Sequence, residues 1–231
     1  MKKFKMLFLQ LLIGLIPIIY TVSIWPDIPE SVPIHYNMNF IADKFGTKSE
    51  IIIIQISMLV ISFIMSLLLI NLHKLDPKRR YSQTNTSMIK ISWTVIAFIT
   101  LISICIIYKT ANYTKANNIT SDKYLIAFIC LLLVFFGNFI NNIKQNYFVG
   151  IRTPWNLKDE SNWRKTHYLG SKIWFFGGLI MFILVLILPR SASLYVVIAG
   201  LIPLCTIPFW YSYHLYNQKK IHKPINHFLI I

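Results

Sequence analysis

The sequence predicts an all-α integral membrane protein with six transmembrane helices and a small ordered extracytoplasmic loop between helices 1 and 2. Three observations carry that expectation. The 231 residues are 55% hydrophobic and 13% charged, with a mean hydropathy of +0.57, which leaves too few charges to wrap a water-soluble globule of this size. Six apolar runs, at 6–25, 51–72, 91–108, 124–143, 173–188 and 194–213, come close to the roughly 20 helical residues that cross a bilayer core. Finally, with the N-terminus placed inside, 17 of the 23 Lys and Arg fall in inside segments and 6 outside. That positive-inside asymmetry sets both termini of a multi-pass membrane protein in the cytoplasm. It also accounts for the net charge of +15 through topology and contact with anionic headgroups, without direct nucleic-acid binding.

Taken in order, the Lys-rich start and first run read as a retained span. The run is about twice the length of a signal-peptide core and ends in SIWPDIPE, which lacks a small-x-small cleavage site. Pro17 inside it predicts a kink that neighbouring helices accommodate. In the outside loop at 26–50, VPIHYNMNF alternates apolar and polar residues with the period of a short strand. Its polar marks are His35, Asn37, Asp43, Gly46 and Lys48; one His beside one Asp reads as a hydrogen-bonded loop pair more readily than as a metal site. After the second span, Lys78, Arg79 and Arg80 lie in a basic inside loop, a topology and lipid signal. Residues 109–123 read as a polar linker.

The fourth span ends FFGNFINN, so Asn138, Asn141 and Asn142 share a helix face and are expected to hydrogen-bond to neighbouring helices. Gly177, Gly178 and Gly200 predict close helix contacts, and Pro203 and Pro208 a kinked last helix. Trp25, Trp174 and Trp210 stand at span borders, as interfacial anchors do. Cys105, Cys130 and Cys205 all fall within spans, where they act as small hydrophobes.

The longest polar interruption of the second half is 146–170, NYFVGIRTPWNLKDESNWRKTHYLG. Gly150 permits a tight turn and Pro154 holds Thr153 extended. Asp159 is a suitable N-cap with Glu160 at the positive helix end, and Gly170 is placed to stop or bend the helix. Trp163, His167 and Gly170 then share one face, with Arg164, Lys165 and Lys172 on others, which describes a short helix in the headgroup region ahead of the fifth span. Two readings stay open. The loop is either a re-entrant corner held by aromatic anchors and cations, or a cytoplasmic docking surface in which Arg152, Trp155, Trp163, Arg164 and His167 meet a partner.

This stretch resembles the signature of the SdpI family of bacterial membrane proteins, an N-x-x-x-G-x-R-T-P-W opening followed by W-R-x-x-H and a glycine. Asn146, Gly150, Arg152, Thr153, Pro154, Trp155, Trp163, His167 and Gly170 stand at the matching positions. The loop VPIHYNMNFIADKFGTK, with KLDP after the second span, resembles the N-terminal domain of unknown function that often precedes that signature, through Pro33, His35, Asn37, Asp43, Gly46 and Lys48. Phe40 departs from it, standing where a glycine is common. The resemblance implies an immunity protein against a secreted peptide toxin, and a receptor that captures a cytoplasmic transcriptional autorepressor at the membrane. It implies extracytoplasmic sensing by His35, Asn37, Asp43, Gly46 and Lys48. It also implies cytoplasmic docking by Asn146, Gly150, Arg152, Thr153, Pro154, Trp155, Trp163, Arg164 and His167.

The resulting organisation is a two-helix unit at 1–90 and a four-helix SdpI-like unit at 91–231. The competing function is a small transporter or exporter of an apolar peptide or other small substrate, weakened by the lack of ionisable residues inside the runs. No HExxH, GxSxG or paired-carboxylate arrangement points to an enzyme, and no cofactor or metal site is expected.

Overall fold

The computed structural model describes residues 2–37, 42–75, 86–113 and 120–221. Phe40 and the Lys78–Arg80 cluster lie outside them. Six helices are long and apolar enough to cross a membrane. They are α1 (Lys2–Ser23), α2 (Ser49–Ile70), α4 (Thr86–Ala111), α5 (Thr120–Ile140), α6 (Glu160–Ile187) and α7 (Arg190–Ile221), with a single turn, α3 (Leu72–Leu75), after α2. Between α1 and α2 stand the antiparallel strands β1 (Ser31–Tyr36) and β2 (Ala42–Thr47). The expected all-α class is therefore corrected to a mostly helical fold carrying one two-stranded hairpin, formed where the sequence alternates apolar and polar residues.

Packing divides the helices into two groups of three. α1, α2 and α4 pack against one another, and α6 packs against both α5 and α7, while α4 and α5 touch more sparingly than these pairs. A seam falls between α4 and α5, and α4 supplies a partner that α1 and α2 need. Gln10 Nε2 donates to Ser92 Oγ at 2.7 Å, and Ser66 Oγ donates to Gln10 Oε1 at 2.5 Å. Ser92 then closes the ring by donating to Ser66 across 2.7 Å. All three side chains are fully buried, so three helices are tied by polar groups that have no water to fall back on.

In the second group the expected glycine contacts are present. A Cβ on Gly178 would stand 2.9 Å from the Val134 backbone N, and one on Gly177 would stand 2.6 Å from Leu204. Trp174 Nε1 donates to the Leu204 carbonyl at 2.9 Å, inside the α7 stretch that holds Pro203 and Pro208. Asn138, Asn141 and Asn142, expected to bond to neighbouring helices, are instead exposed and line a shallow groove with Ser171 and Lys172.

The hairpin caps one end of the bundle and the 141–159 loop sits at the other. At the hairpin end Val32 packs with Ile28, Ile51 and Ile107. At the loop end one apolar cluster joins Leu69 and Leu72 to Met88, Ile91, Ile140, Ile143, Ile151 and Trp163, so both helix groups meet there. Midway along the seam Phe98 of α4 stacks on Phe128 of α5, with centroids 5.1 Å apart and rings 8° from parallel.

The expected headgroup helix and separate fifth span are a single element. α6 runs without a break from Glu160 to Ile187, straight through Gly170. Gly170 does not stop it; a Cβ there would stand 2.6 Å from Ile151 Cδ1, so its missing side chain makes room for the loop. Tertiary packing sets the use of this glycine, which the local pattern read as a terminator.

Candidate functional site

The polar loop is folded into the bundle, and its asparagines do the folding. Asn146 accepts from the backbone N–H of Phe148 at 2.8 Å and of Val149 at 2.7 Å, and its amide donates to the carbonyls of Lys144 and Val149, each at 2.9 Å. All the bonding capacity of a buried amide goes into closing one turn. Gly150 follows at φ 117°, and a side chain there would collide with His167 Nε2.

His167 is the pin between loop and helix. Its Nε2 accepts from the Ile151 N–H at 3.1 Å, which requires an unprotonated nitrogen, so Nδ1 carries the proton and donates to the Trp163 carbonyl at 2.8 Å. The ring is buried and stacks on Trp163 with centroids 4.0 Å apart, and Trp163 Nε1 donates back to the Ile143 carbonyl at 2.8 Å. Two residues one turn apart on α6 thereby hold both limbs of the loop.

A second set of bonds fastens the loop to α7. Thr153 N–H donates to Asn156 Oδ1 at 3.0 Å, and Asn156 Nδ2 donates to the Ile151 carbonyl. The Thr153 hydroxyl accepts from the Asn156 N–H and faces Ser212 Oγ at 3.0 Å. Ser212 Oγ donates to Asn162 Oδ1 at 2.8 Å, so the shared proton between Thr153 and Ser212 comes from Thr153. Asn162 Nδ2 returns to the Ser212 carbonyl at 2.9 Å, and Thr166 also donates to Asn162 Oδ1. Thr153, Asn156, Asn162, Thr166 and Ser212 are all buried. Such a network holds its elements firmly when each member is satisfied, as these are.

Asp159 caps α6 as expected, accepting from the N–H of Ser161 at 2.9 Å and of Asn162 at 3.3 Å. Lys219, near the end of α7, reaches its other oxygen at 2.5 Å. Burial alone would raise the Asp159 pKa, but the bonds from Lys219 and the helix N–H groups outweigh it and hold the carboxyl below its ordinary value.

The nine expected docking positions therefore divide. Asn146, Thr153, Trp163 and His167 are buried and Gly150 is packed beneath His167, so these five build the loop. Arg152, Pro154 and Arg164 are exposed, and Trp155 is half-buried against Tyr213 and Tyr216 with its indole N–H unpaired. Arg152 donates to the Tyr147 carbonyl at 2.6 Å. Sequence reasoning missed Asn156, Asn162, Thr166 and Ser212. The available signal was the four-residue spacing of Asn162 and Thr166, on the face of α6 next to that of Trp163 and His167.

At the hairpin end, His35 Nδ1 lies 2.5 Å from Asp43 Oδ1 across the strands, both largely exposed. Lys48 pairs with Glu30 at 2.5 Å and lies 5.2 Å from the Trp25 ring centroid. Gly46 sits opposite Val32 in the ladder, where a Cβ would meet the Glu50 carboxylate. Beneath the hairpin is a mostly apolar cavity of about 490 Å³, lined by Pro33, Ile34, Tyr36 and Asn37 of the hairpin side. α2, α4, α5 and α7 complete it through Ile54, Ile106, Ile126 and Leu194, with Lys109 at the wall. Lys109 Nζ lies 3.4 Å from the Tyr36 ring centroid. Among the described residues no cluster of three His, Cys, Asp or Glu is placed to hold a metal.

Comparison with known proteins finds two family matches on separate segments of the chain. Residues 142–212 match the model of the SdpI/YfhL protein family, and residues 12–59 match a domain of unknown function, DUF1648. The chain is 23% identical over 210 residues to the immunity protein SdpI of Bacillus subtilis (strain 168), covering 91% of this chain and 95% of the relative. No solved structure matches. With six helices able to span a bilayer, this is a multi-pass cell membrane protein. It carries the SdpI/YfhL signature on its loop, α6 and α7, and the DUF1648 signature on its α1–hairpin–α2 segment.

Proposed function

We propose that this protein protects the cell that makes it against a secreted apolar peptide toxin, which it meets at the cavity beneath the hairpin. The observation that carries the reading is that cavity itself, set between hairpin and helices in a chain resembling an immunity protein along nearly its whole length. A concave, mostly apolar site with few polar groups suits an apolar peptide segment. The charge asymmetry supports placing the hairpin outside, with the loop and both termini in the cytoplasm. His35, Asn37, Asp43, Gly46 and Lys48 then form the rim and frame of the sensing surface.

On the inner side, the exposed part of the loop, Arg152, Pro154, Trp155 and Arg164, is the surface for a cytoplasmic transcriptional repressor. The exposed cations Arg152 and Arg164 beside the half-buried Trp155, which packs on Tyr213 and Tyr216, support a partner contact there. Export of an apolar peptide is less well supported. The buried Gln10–Ser66–Ser92 ring inside the spans is neutral and mutually bonded, and supplies no ionisable relay.

The test is expression in a toxin-sensitive bacterium, followed by challenge with the peptide secreted by the protein's own producer. Survival should rise with the protein present; unchanged survival removes the immunity reading. Recruitment of the repressor to membranes under toxin should fall in Trp155→Ala while survival persists, and recruitment unaffected by that change rejects the inner docking surface. Reporter fusions at Lys48 and Arg152 should report opposite sides.

A further inference from the structure

The seam between the two helix groups holds a second cavity at the loop end, which shares only Arg152 with the surfaces of the immunity reading. It has a volume of about 570 Å³. Its walls are Ile91 of α4, Phe136 and Phe139 of α5, and Pro208 and Phe209 of α7, with loop residues Val149–Arg152 at one end. By position along the helices it lies on the far side of the Phe98–Phe128 stack from the cavity beneath the hairpin. Cys205 and Phe209 on its wall are exposed, Phe209 by 50%, so the cleft opens onto the outer helix surface that faces lipid.

One charged group belongs to this otherwise apolar cleft. Arg152 lies among its lining residues, and no Asp or Glu does. Its guanidinium is exposed and its Nη1 is tied to the Tyr147 carbonyl, which orients the group, and among the described residues no carboxylate pairs with it. An apolar slot open to the bilayer, ending in an oriented guanidinium at headgroup depth, is complementary to one kind of molecule: its acyl chain fills the slot and its phosphate meets the cation. A zwitterionic lipid offers the same chain but carries a compensating ammonium.

We propose that this cleft is a binding site for one anionic phospholipid, with an acyl chain between α5 and α7 and the phosphate on Arg152. The lipid then completes the packing of the seam at the loop end. This inference does not rest on the immunity reading, since its readouts are lipid retention and thiol access.

The full-length protein with Cys105→Ser, leaving Cys205 as the exposed thiol, is placed in nanodiscs of phosphatidylcholine with or without phosphatidylglycerol. Alkylation of Cys205 by N-ethylmaleimide is then timed. Phosphatidylglycerol should slow it about fivefold, the preference expected for one cation at a bilayer surface. Arg152→Gln should abolish the slowing, while Arg164→Gln, an exposed cation outside the cleft, should keep it. Native mass spectrometry should find phosphatidylglycerol retained by the parent protein and lost from Cys205→Trp, which fills the slot without touching Arg152. Equal alkylation in both lipid mixtures, or slowing that survives Arg152→Gln, overturns the site; retention unchanged in Cys205→Trp overturns the placement of the chain.

Discussion

The hairpin and the 141–159 loop are the two polar interruptions that carry family motifs, and they are built by opposite means. In the hairpin the matched polar side chains lie nearer the surface: His35 faces Asp43 across the strands, and the partly buried Lys48 pairs with the exposed Glu30. In the loop the matched residues are buried, and Asn146, Thr153 and His167 spend their polar atoms on backbone and neighbouring side chains. Exposed pairs contribute about 0–1 kcal/mol each, whereas an orphaned buried donor or acceptor costs about 1–3 kcal/mol. The loop motif is therefore mainly an architectural device, while the hairpin motif leaves its chemistry available for recognition.

The sharpest way to break this comparison uses the two matched glycines. Gly150→Ala places a methyl on a backbone with φ 117° and drives it into His167, breaking the Ile151 bond. Strain and the lost bond together cost on the order of 3 kcal/mol, which should read as a large drop in thermal midpoint by fluorescence-detected size exclusion. Gly46→Ala meets only the end of the flexible Glu50 side chain and should melt close to the parent. Equal losses at the two positions would dissolve the distinction.

A smaller effect separates buried from exposed amides. Asn162→Ala strips partners from Ser212, Thr166 and the Ser212 carbonyl, and should destabilise by about 2 kcal/mol. Asn138→Ala, on the exposed groove, should change the midpoint little. The smallest effect is at the clasp between α6 and α7. Asp159→Asn keeps the helix cap but removes the charge that Lys219 holds, for a loss below about 1 kcal/mol. The Asp159 pKa is lowered in the folded protein, so this stabilisation is present above the ordinary carboxylate range and fades as pH falls through the folded value. Acid should therefore narrow the gap between the midpoints of parent and Asp159→Asn.

The helices were legible in the sequence because a bilayer imposes length and apolarity on any span. The first strand of the hairpin was legible in its alternation and the second was not, while the Asp159 cap and the shared face of Trp163 and His167 were legible in their spacing. The burial of the loop was not, since Asn146 and Asn162 carry the same side chain as the exposed Asn138 and Asn141, and partners far along the chain decide between them. Ser212 lies 50 residues from Asn162. The continuity of α6 was hidden for the same reason: Gly170 signals a stop locally, but with Ile151 packed against it the helix goes on.

The central claim, that the cavity beneath the hairpin decides protection while the loop decides the fold, is tested most directly by filling that cavity. Ile34 lines it and is 40% exposed, so Ile34→Trp can occupy the space without displacing the core. The measurement is survival under the producer's own peptide, with membrane level and thermal midpoint followed in parallel. The account predicts a parent-like level and midpoint with protection lost. Full protection by a stable Ile34→Trp protein would contradict it.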